Sequence, residues 1–283
     1  MHIVVTGGSG KLGGIVVEHL LDAGHRVTNV DARAGVDARA RWLRIDLTDY
    51  GQVAEALTGI DDAYDSVDAV VHLAAIPAPG LTANAATFAN NSAATFHVFQ
   101  AAKLAGITKV VWASSETVLG LPFDVAPPYI PVDEEYPARP ESVYSLVKHL
   151  EETLAIELVR WHPDLSITAL RFSNVMWPED YDEFPSFDAD ALLRKWNLWG
   201  YIDARDGAQA VERALDVAPP GFDRFIIAAA DTVMSRPNAE LVAEVFAGVP
   251  VKGELGVNDT MLSIDKARRL LGFDPQHSWR DAR

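Results

Sequence analysis

The chain of 283 residues contains no cysteine. That excludes disulfides, thiolate nucleophiles and cysteine-ligated metals. Long apolar runs are also missing: no stretch approaches the roughly 18 residues a helix needs to cross a bilayer. Basic residues are scarce, with 24 Lys and Arg against 40 Asp and Glu and a formal net charge of −16. Nucleic acid and anionic membrane surfaces, which need clustered Lys and Arg, are therefore not expected partners. The surplus acid fits a well-solvated surface and says little about a substrate. None of the eight histidines stands in HExxH or another ligand spacing, so no metal is expected. A strand-like run, HIVVT, begins at His2, so no signal or transit peptide is expected. The expectation is a soluble, cytoplasmic protein long enough to bury a sizeable core.

What is present is a regular alternation. HIVVTGGSGKLGGIVVEHLLDAGHRVTNVD reads as a strand, a glycine turn, a helix from Lys11 to Asp22 and a second strand ending at Asp31. Such a β-α-β unit implies a parallel sheet. Further strands are expected at ARWLRIDL, at 66–75, 109–115 and 165–172, with helices at 50–57, 84–106 and 142–161 between them. After about Asn174 the pattern loosens. Residues 174–201 carry Trp177, Tyr181, Phe184, Phe187, Trp196, Trp199 and Tyr201 among acids, followed by a strand at 224–230 and helices at 235–247 and 261–271. The expected fold class is α/β, a Rossmann-type doubly wound parallel sheet over 1–173 with a small C-terminal substrate-binding lobe over 174–283, partly interleaved with the sheet. Ligands in such sheets bind at the carboxyl ends of the strands, where a lobe would roof them.

TGGSGKLGG follows a strand and opens a helix, the context in which a glycine pattern carries meaning. Gly7, Gly10 and Gly13 would let a pyrophosphate approach backbone N–H groups and the positive end of the helix. A carboxylate at Asp31, closing the second strand, can accept from both adenosine ribose hydroxyls and repel a 2′-phosphate, favouring NAD over NADP. Arg33 would partly offset that repulsion. Asp46 is either a contact for the adenine amino group or a generic loop acid.

In ESVYSLVKHLEE, Tyr144 and Lys148 are one helical turn apart and reach one small volume, beside an apolar stripe of Val143, Val147, Leu150 and Leu154 expected to bury. A hydride transfer from a carbinol carbon needs a base for the hydroxyl proton, and a free Tyr with pKa about 10 is too weakly ionised at neutral pH. A neighbouring ammonium and a cationic nicotinamide both stabilise phenolate and are expected to lower that pKa.

Taken in order, these segments resemble the extended branch of the short-chain dehydrogenase/reductase superfamily, of NAD-dependent epimerase/dehydratase type, over nearly the whole chain. The resemblance is carried by the glycine motif, Asp46-Leu47, HLAA at 72–75, Asn91 in NSAATFHVFQAA, SSETVLG at 114–120, YSLVK at 144–148, RFSNV at 171–175 and YIDARDGAQA at 201–210. It implies Ser115, Tyr144 and Lys148 as the catalytic set, with Ser115 donating to the substrate oxygen, Ser114 a supporting neighbour, and Lys148 also holding the nicotinamide ribose. It implies cofactor contacts at Gly7, Gly10, Lys11, Leu12, Gly13, Asp31, Asp46, Leu47, Leu73, Ala74, Ala75, Asn91, Tyr144 and Lys148, Asn91 by ordering structure or water near the lysine. His72 reads as a structural residue of the strand end. By the same resemblance, helices 84–106 and 142–161 would pair in a homodimer.

Two departures bear on the reaction. Nucleotide-sugar dehydratases of the family carry an Asp-Glu pair after the catalytic Thr, where this chain has Glu116 and Thr117, so water elimination is disfavoured. Many UDP-sugar epimerases carry an Arg for the nucleotide diphosphate where Trp199 stands, although Arg194, Lys195 or Arg205 could substitute. The C-terminal portion is also short for a nucleotide-sugar site. The sequence therefore ranks first an NAD-dependent oxidoreductase acting on a small sugar, sugar acid or related hydroxy/carbonyl compound. An NAD-retaining sugar epimerase comes second, and a dinucleotide-sensing regulatory protein third. The aromatic residues of 174–201 line a substrate pocket or simply pack the lobe.

Overall fold

A computed structural model describes residues 1–59, 66–218 and 220–282. Alternating apolar side chains on β1 (His2–Thr6) decide the layering: Ile3 and Val5 enter the core on one face and Val4 the core on the other. A strand buried on both faces is the signature of a parallel sheet covered by helices, and each fully buried Val or Ile contributes about 1.5–3 kcal/mol. Helix α1 (Lys11–Asp22) returns the chain to β2 (Arg26–Val30) and the edge strand β3 (Arg41–Leu43). Helix α2 (Tyr50–Thr58), capped by the Asp49 carboxylate, lies on the opposite face from α1. Strand β4 (Ala69–His72), α3 (Asn84–Leu104), β5 (Lys109–Ser115), α4 (Val143–Trp161) and β6 (Ser166–Phe172) complete the regular alternation.

Beyond residue 173 the chain first makes a short pair, β7 (Val175–Met176) with β8 (Ile202–Asp203), spanning a compact segment that includes α5 (Phe184–Phe187). Helix α6 (Ala204–Val217) then packs against α1, and β9 (Gly221–Ile227) joins the main sheet beside β6. The seven parallel strands run in the order β3-β2-β1-β4-β5-β6-β9. Helices α1 and α6 cover one face and α2, α3 and α4 the other. Helices α7 (Asn238–Val245) and α8 (Asp265–Leu271) finish the chain. Strand order reverses between β1 and β4, and the crevice outside their carboxyl ends is where the fold places a ligand.

Several element boundaries differ from the sequence reading for local reasons. The last strand is 221–227 rather than 224–230, because Gly221 N already bonds Leu165 O, while Ala229 N leaves the sheet to reach Tyr201 O at 2.7 Å. The third strand pairs only over Arg41–Leu43, and residues 44–47 turn toward the crevice. On α4, Val147 is buried as expected but Leu150 is 43% exposed, so the apolar stripe does not continue along one edge. Aromatic side chains from beyond residue 173 extend the core on the α1 face of the sheet: Tyr201 meets Tyr181 and Phe184 edge to face, Trp279 meets Phe184 in the same way, and Tyr181 is tilted on Phe184, with centroids 5.2–6.0 Å apart. Among the described residues no helix is long and apolar enough to cross a membrane.

Candidate active site

The carboxyl ends of β1, β2, β4, β5 and β6 open into one cleft of about 1500 Å³. Ordinary ligand pockets hold roughly 300–1,000 Å³, so a dinucleotide and a second molecule can share this space. Its floor is the turn between β1 and α1. Gly7 has φ +74°, and a Cβ there would come within 2.6 Å of Ala74 N. A Cβ on Gly13 would come within 2.0 Å of Gly7 O. No other side chain fits either position, and the turn presents backbone to the cleft at the N-terminus of α1, the arrangement that holds a phosphate. Asp31 closes β2 with its carboxylate fixed by Ser9 N (3.1 Å) and Arg33 N (3.0 Å), and Arg33 itself lines the cleft. Asp46 accepts from Thr48 N and Thr48 Oγ1, which holds its carboxyl below the usual range. Leu47, Leu73, Ala74 and Ala75 complete this wall, with Lys11 and Leu12 at the helix start. The cleft thus fits an adenine dinucleotide with a free ribose.

Helix α4 brings the second half of the site. It starts with a reciprocal cap, in which Ser142 Oγ accepts from Ser145 N (3.1 Å) and Ser145 Oγ accepts from Ser142 N (2.9 Å). This sets the first turn so that Tyr144 and Lys148 face the sheet and line the cleft, both buried rather than on a helix edge. Lys148 Nζ donates to Ala113 O at 2.9 Å and lies 3.0 Å from Glu151 Oε2. Burial alone lowers its pKa, but Glu151, Tyr144 and Glu152 together raise it above the ordinary value. For Tyr144 the sequence expectation of a lowered pKa is reversed in the chain alone. Burial raises it, and the Lys148 charge and a Ser115 hydrogen bond recover only part of the shift, while Glu151 and Glu116 add to the rise. The cationic nicotinamide, the other half of that expectation, is a charge the chain does not supply.

Ser115 Oγ accepts from Thr117 N (3.2 Å) and Thr117 Oγ1 (3.0 Å). With both lone pairs engaged, its hydrogen is left to donate. Thr117, noted in the sequence only for what it is not, therefore orients the Ser115 hydroxyl. Ser114 Oγ donates to Glu152 Oε1 (2.7 Å) and supports the strand end from behind. Glu116 is buried on the cleft wall beside Asn197, and burial raises its carboxyl to about 7 against the opposing effects of Ser173, Asn197 and Arg194.

Other sequence-derived candidates lie elsewhere. Asn91 is not at the cleft wall: its amide closes both bonds on Ile76, Oδ1 from Ile76 N (2.8 Å) and Nδ2 to Ile76 O (3.0 Å), and so shapes the 73–79 loop, while neighbouring Asn90 faces the cleft. Trp199 is lobe core, its Nε1 bonded to Ala191 O. Arg194 is buried between Phe187 and Trp196, Lys195 pairs with Asp124, and Arg205 pairs with Asp203. Among the described residues, the cations lining the cleft are Lys11, Arg33, Arg44 and Lys148. Of the aromatic group at 174–201, only Trp196 lines the cleft. Trp177 instead donates from Nε1 to Lys11 O (3.0 Å), and Asp180 pairs with Lys11 Nζ at 2.5 Å, so the lobe is tied to the start of α1. Glu151 was missed although its spacing of three residues from Lys148 on one helix was a signal for it, whereas the tie to Lys11 joins positions whose proximity only folding creates.

Comparison with known proteins follows this geometry. The UDP-glucose 4-epimerase of Lacticaseibacillus casei is 30% identical over 186 residues, 62% of this chain and 52% of that protein. The L-arabinose 1-dehydrogenase (NAD(P)(+)) of Haloferax volcanii is 28% identical over 229 residues, 77% of this chain and 84% of that protein. A crystal structure of UDP-galactose 4-epimerase superposes with a TM-score of 0.72 at 30% identity, covering 100% of this chain and 96% of the other. The chain spans about half the length of the first curated epimerases it matches. These likenesses favour the epimerase alternative over the dehydrogenase reading that the sequence ranked first. The sequence profile of the NAD dependent epimerase/dehydratase family matches residues 3–221, and the chain belongs to that family.

Proposed function

We propose that the chain is an NAD-dependent epimerase acting on a sugar. The observation that carries the reading is the convergence of Ser115, Tyr144 and Lys148 on the cleft whose floor is the glycine turn. When bound, NAD supplies the acceptor for a hydride from a carbinol carbon. The turn at Gly7, Gly10, Lys11, Leu12 and Gly13 would hold its pyrophosphate, Asp31 the adenosine ribose, Asp46 and Leu47 the adenine, and Lys148 the nicotinamide ribose. Ser115 donates to the substrate oxygen and stabilises developing alkoxide. Tyr144 takes the hydroxyl proton and later returns it. Residues 174–283 would roof the substrate. The tie of Trp177 and Asp180 to Lys11 supports retention of the dinucleotide, which an epimerase needs between its two half-reactions.

A second reading, an NAD-dependent dehydrogenase of a free sugar or sugar acid, is favoured by one observation. Arg194, Lys195 and Arg205 are all committed away from the cleft, which leaves no cation of the described residues beyond 173 lining it for a nucleotide diphosphate. The discriminating experiment measures NAD content after gel filtration, then follows NADH absorbance and epimer formation with panels of UDP-sugars and free sugars. Stoichiometric retained NAD with epimer formation and no net NADH is the expected result. Net NADH from a free sugar, with cofactor lost on the column, overturns the epimerase in favour of the dehydrogenase. Retained NAD with no turnover of any sugar would instead fit the sensing role.

The oligomer we propose is a homodimer through α3 and α4, supported by exposed Phe88 and Phe96 on the first helix and Leu146, Leu150 and Ile156 on the second.

A further inference from the structure

Glu151 lies one turn along α4 from Lys148, and both side chains are buried. Its Oε1 accepts from Thr95 Oγ1 at 2.8 Å. That hydroxyl has one hydrogen, so at the 3.1 Å contact with His72 Nε2 the ring must donate. His72 Nδ1 then accepts from Thr6 Oγ1 (2.7 Å), which in turn accepts from Ala74 N (3.4 Å) on the cleft loop. Burial pulls the imidazole down to about 3, so it stays neutral in this one tautomer. Thr6, His72, Thr95 and Glu151 are all buried, so the chain of bonds opens to no solvent and is no proton exit. What it does is hold a carboxylate in one place.

We propose that Glu151 is a positioning residue that keeps Lys148 in its ammonium form and pins it between Ala113 O and α4, with Thr95 and His72 fixing the carboxylate. The inference rests on reading Tyr144 and Lys148 as the acid–base pair. A buried amine without a countercharge gives up its proton. The groups facing Lys148 are Tyr144, Glu151 and Glu152 on its own helix and His72 on β4. Glu116, after β5, acts on Tyr144. Glu152 is already claimed by Arg171 on β6, with Arg224 of β9 4.0 Å away, and His72 is neutral, so Glu151 is the anion left for the lysine.

The test is acylation of Lys148 in cofactor-free protein with labelled acetic anhydride, read as the Lys148 peptide by mass spectrometry across pH. Only the neutral amine reacts, and the midpoint of the profile reports its pKa independently of access. In the unchanged chain no midpoint is expected below pH 10. Glu151→Gln should move it down by about one unit or more, Glu151→Asp should restore most of the shift, and Thr95→Val should give a smaller shift in the same direction. A folded Glu151→Gln protein with an unmoved midpoint overturns the proposal. If that variant does not fold, an unmoved midpoint in Thr95→Val does so. Failure of every sugar to turn over would defeat the catalytic reading while leaving this result standing.

Discussion

Arg171 on β6 grips Glu152 on α4 through two bonds, Nε to Oε1 at 2.8 Å and one terminal nitrogen to Oε2 at 2.7 Å, with both side chains buried. Because Ser114 donates to the same carboxylate, the pair joins β6, α4 and the strand end that carries Ser115. Removing one partner strands a buried charge, which costs about 3–5 kcal/mol. Arg171→Met should therefore lower unfolding free energy by that order in a urea titration, and Glu152→Gln with Arg171→Met together should cost less than the single change.

Tyr144→Phe keeps the ring on the cleft wall and deletes the hydroxyl proposed to carry the proton. NAD affinity by calorimetry should stay close to that of the unchanged protein, while turnover falls by about 10²–10⁴. Retained turnover would remove Tyr144 from its role.

Asp31 is fixed by two backbone N–H groups, so its carboxylate faces the cleft in one orientation. Asp31→Ala should raise the relative affinity for NADP, helped by Arg33. An unchanged NAD/NADP ratio counts against the ribose contact.

Glu116 gives a pH signature. Its folded pKa of about 7 lies above the unfolded 4.5, so the folded state binds the extra proton between those values. The stability from this group is full below about pH 4.5 and is lost as pH rises through 7, a change on the order of 3 kcal/mol. Glu116→Gln should flatten that slope in thermal unfolding followed from pH 5 to 8. A slope equal to that of the unchanged chain would show that Glu116 is not its source.

Leu150 tests the proposed dimer. Leu150→Glu places a charge on the exposed face of α4 and should halve the mass measured by light scattering without changing the far-ultraviolet spectrum.

Much of the sheet was legible because two-sided burial writes itself as runs such as IVV and AVV, and α1 and β5 fall where the pattern put them. Boundaries failed where pairing ends for reasons outside the segment, as at Ala228–Ala230, whose apolar run continues while its bonds turn to Tyr201 and Thr260. Within the site, glycine spacing and Tyr144/Lys148 could be read because they repeat along one element. Glu151 was not singled out in the sequence, and its burial follows from the packing of α4 on the sheet. Asn91 pointed to the right loop, but its amide is used up on Ile76.

The lobe leaves the sheet after β6, returns through α6 to β9, and leaves again at Ala228. Strand ladders secure both sides of that first excursion, and Ser173 N still reaches Ile227 O at 2.9 Å where it begins. A body stitched on by three chain crossings has no single hinge to turn on. Admission of a ligand is then expected to rest on local changes in short segments such as 177–183 rather than on rotation of the whole body.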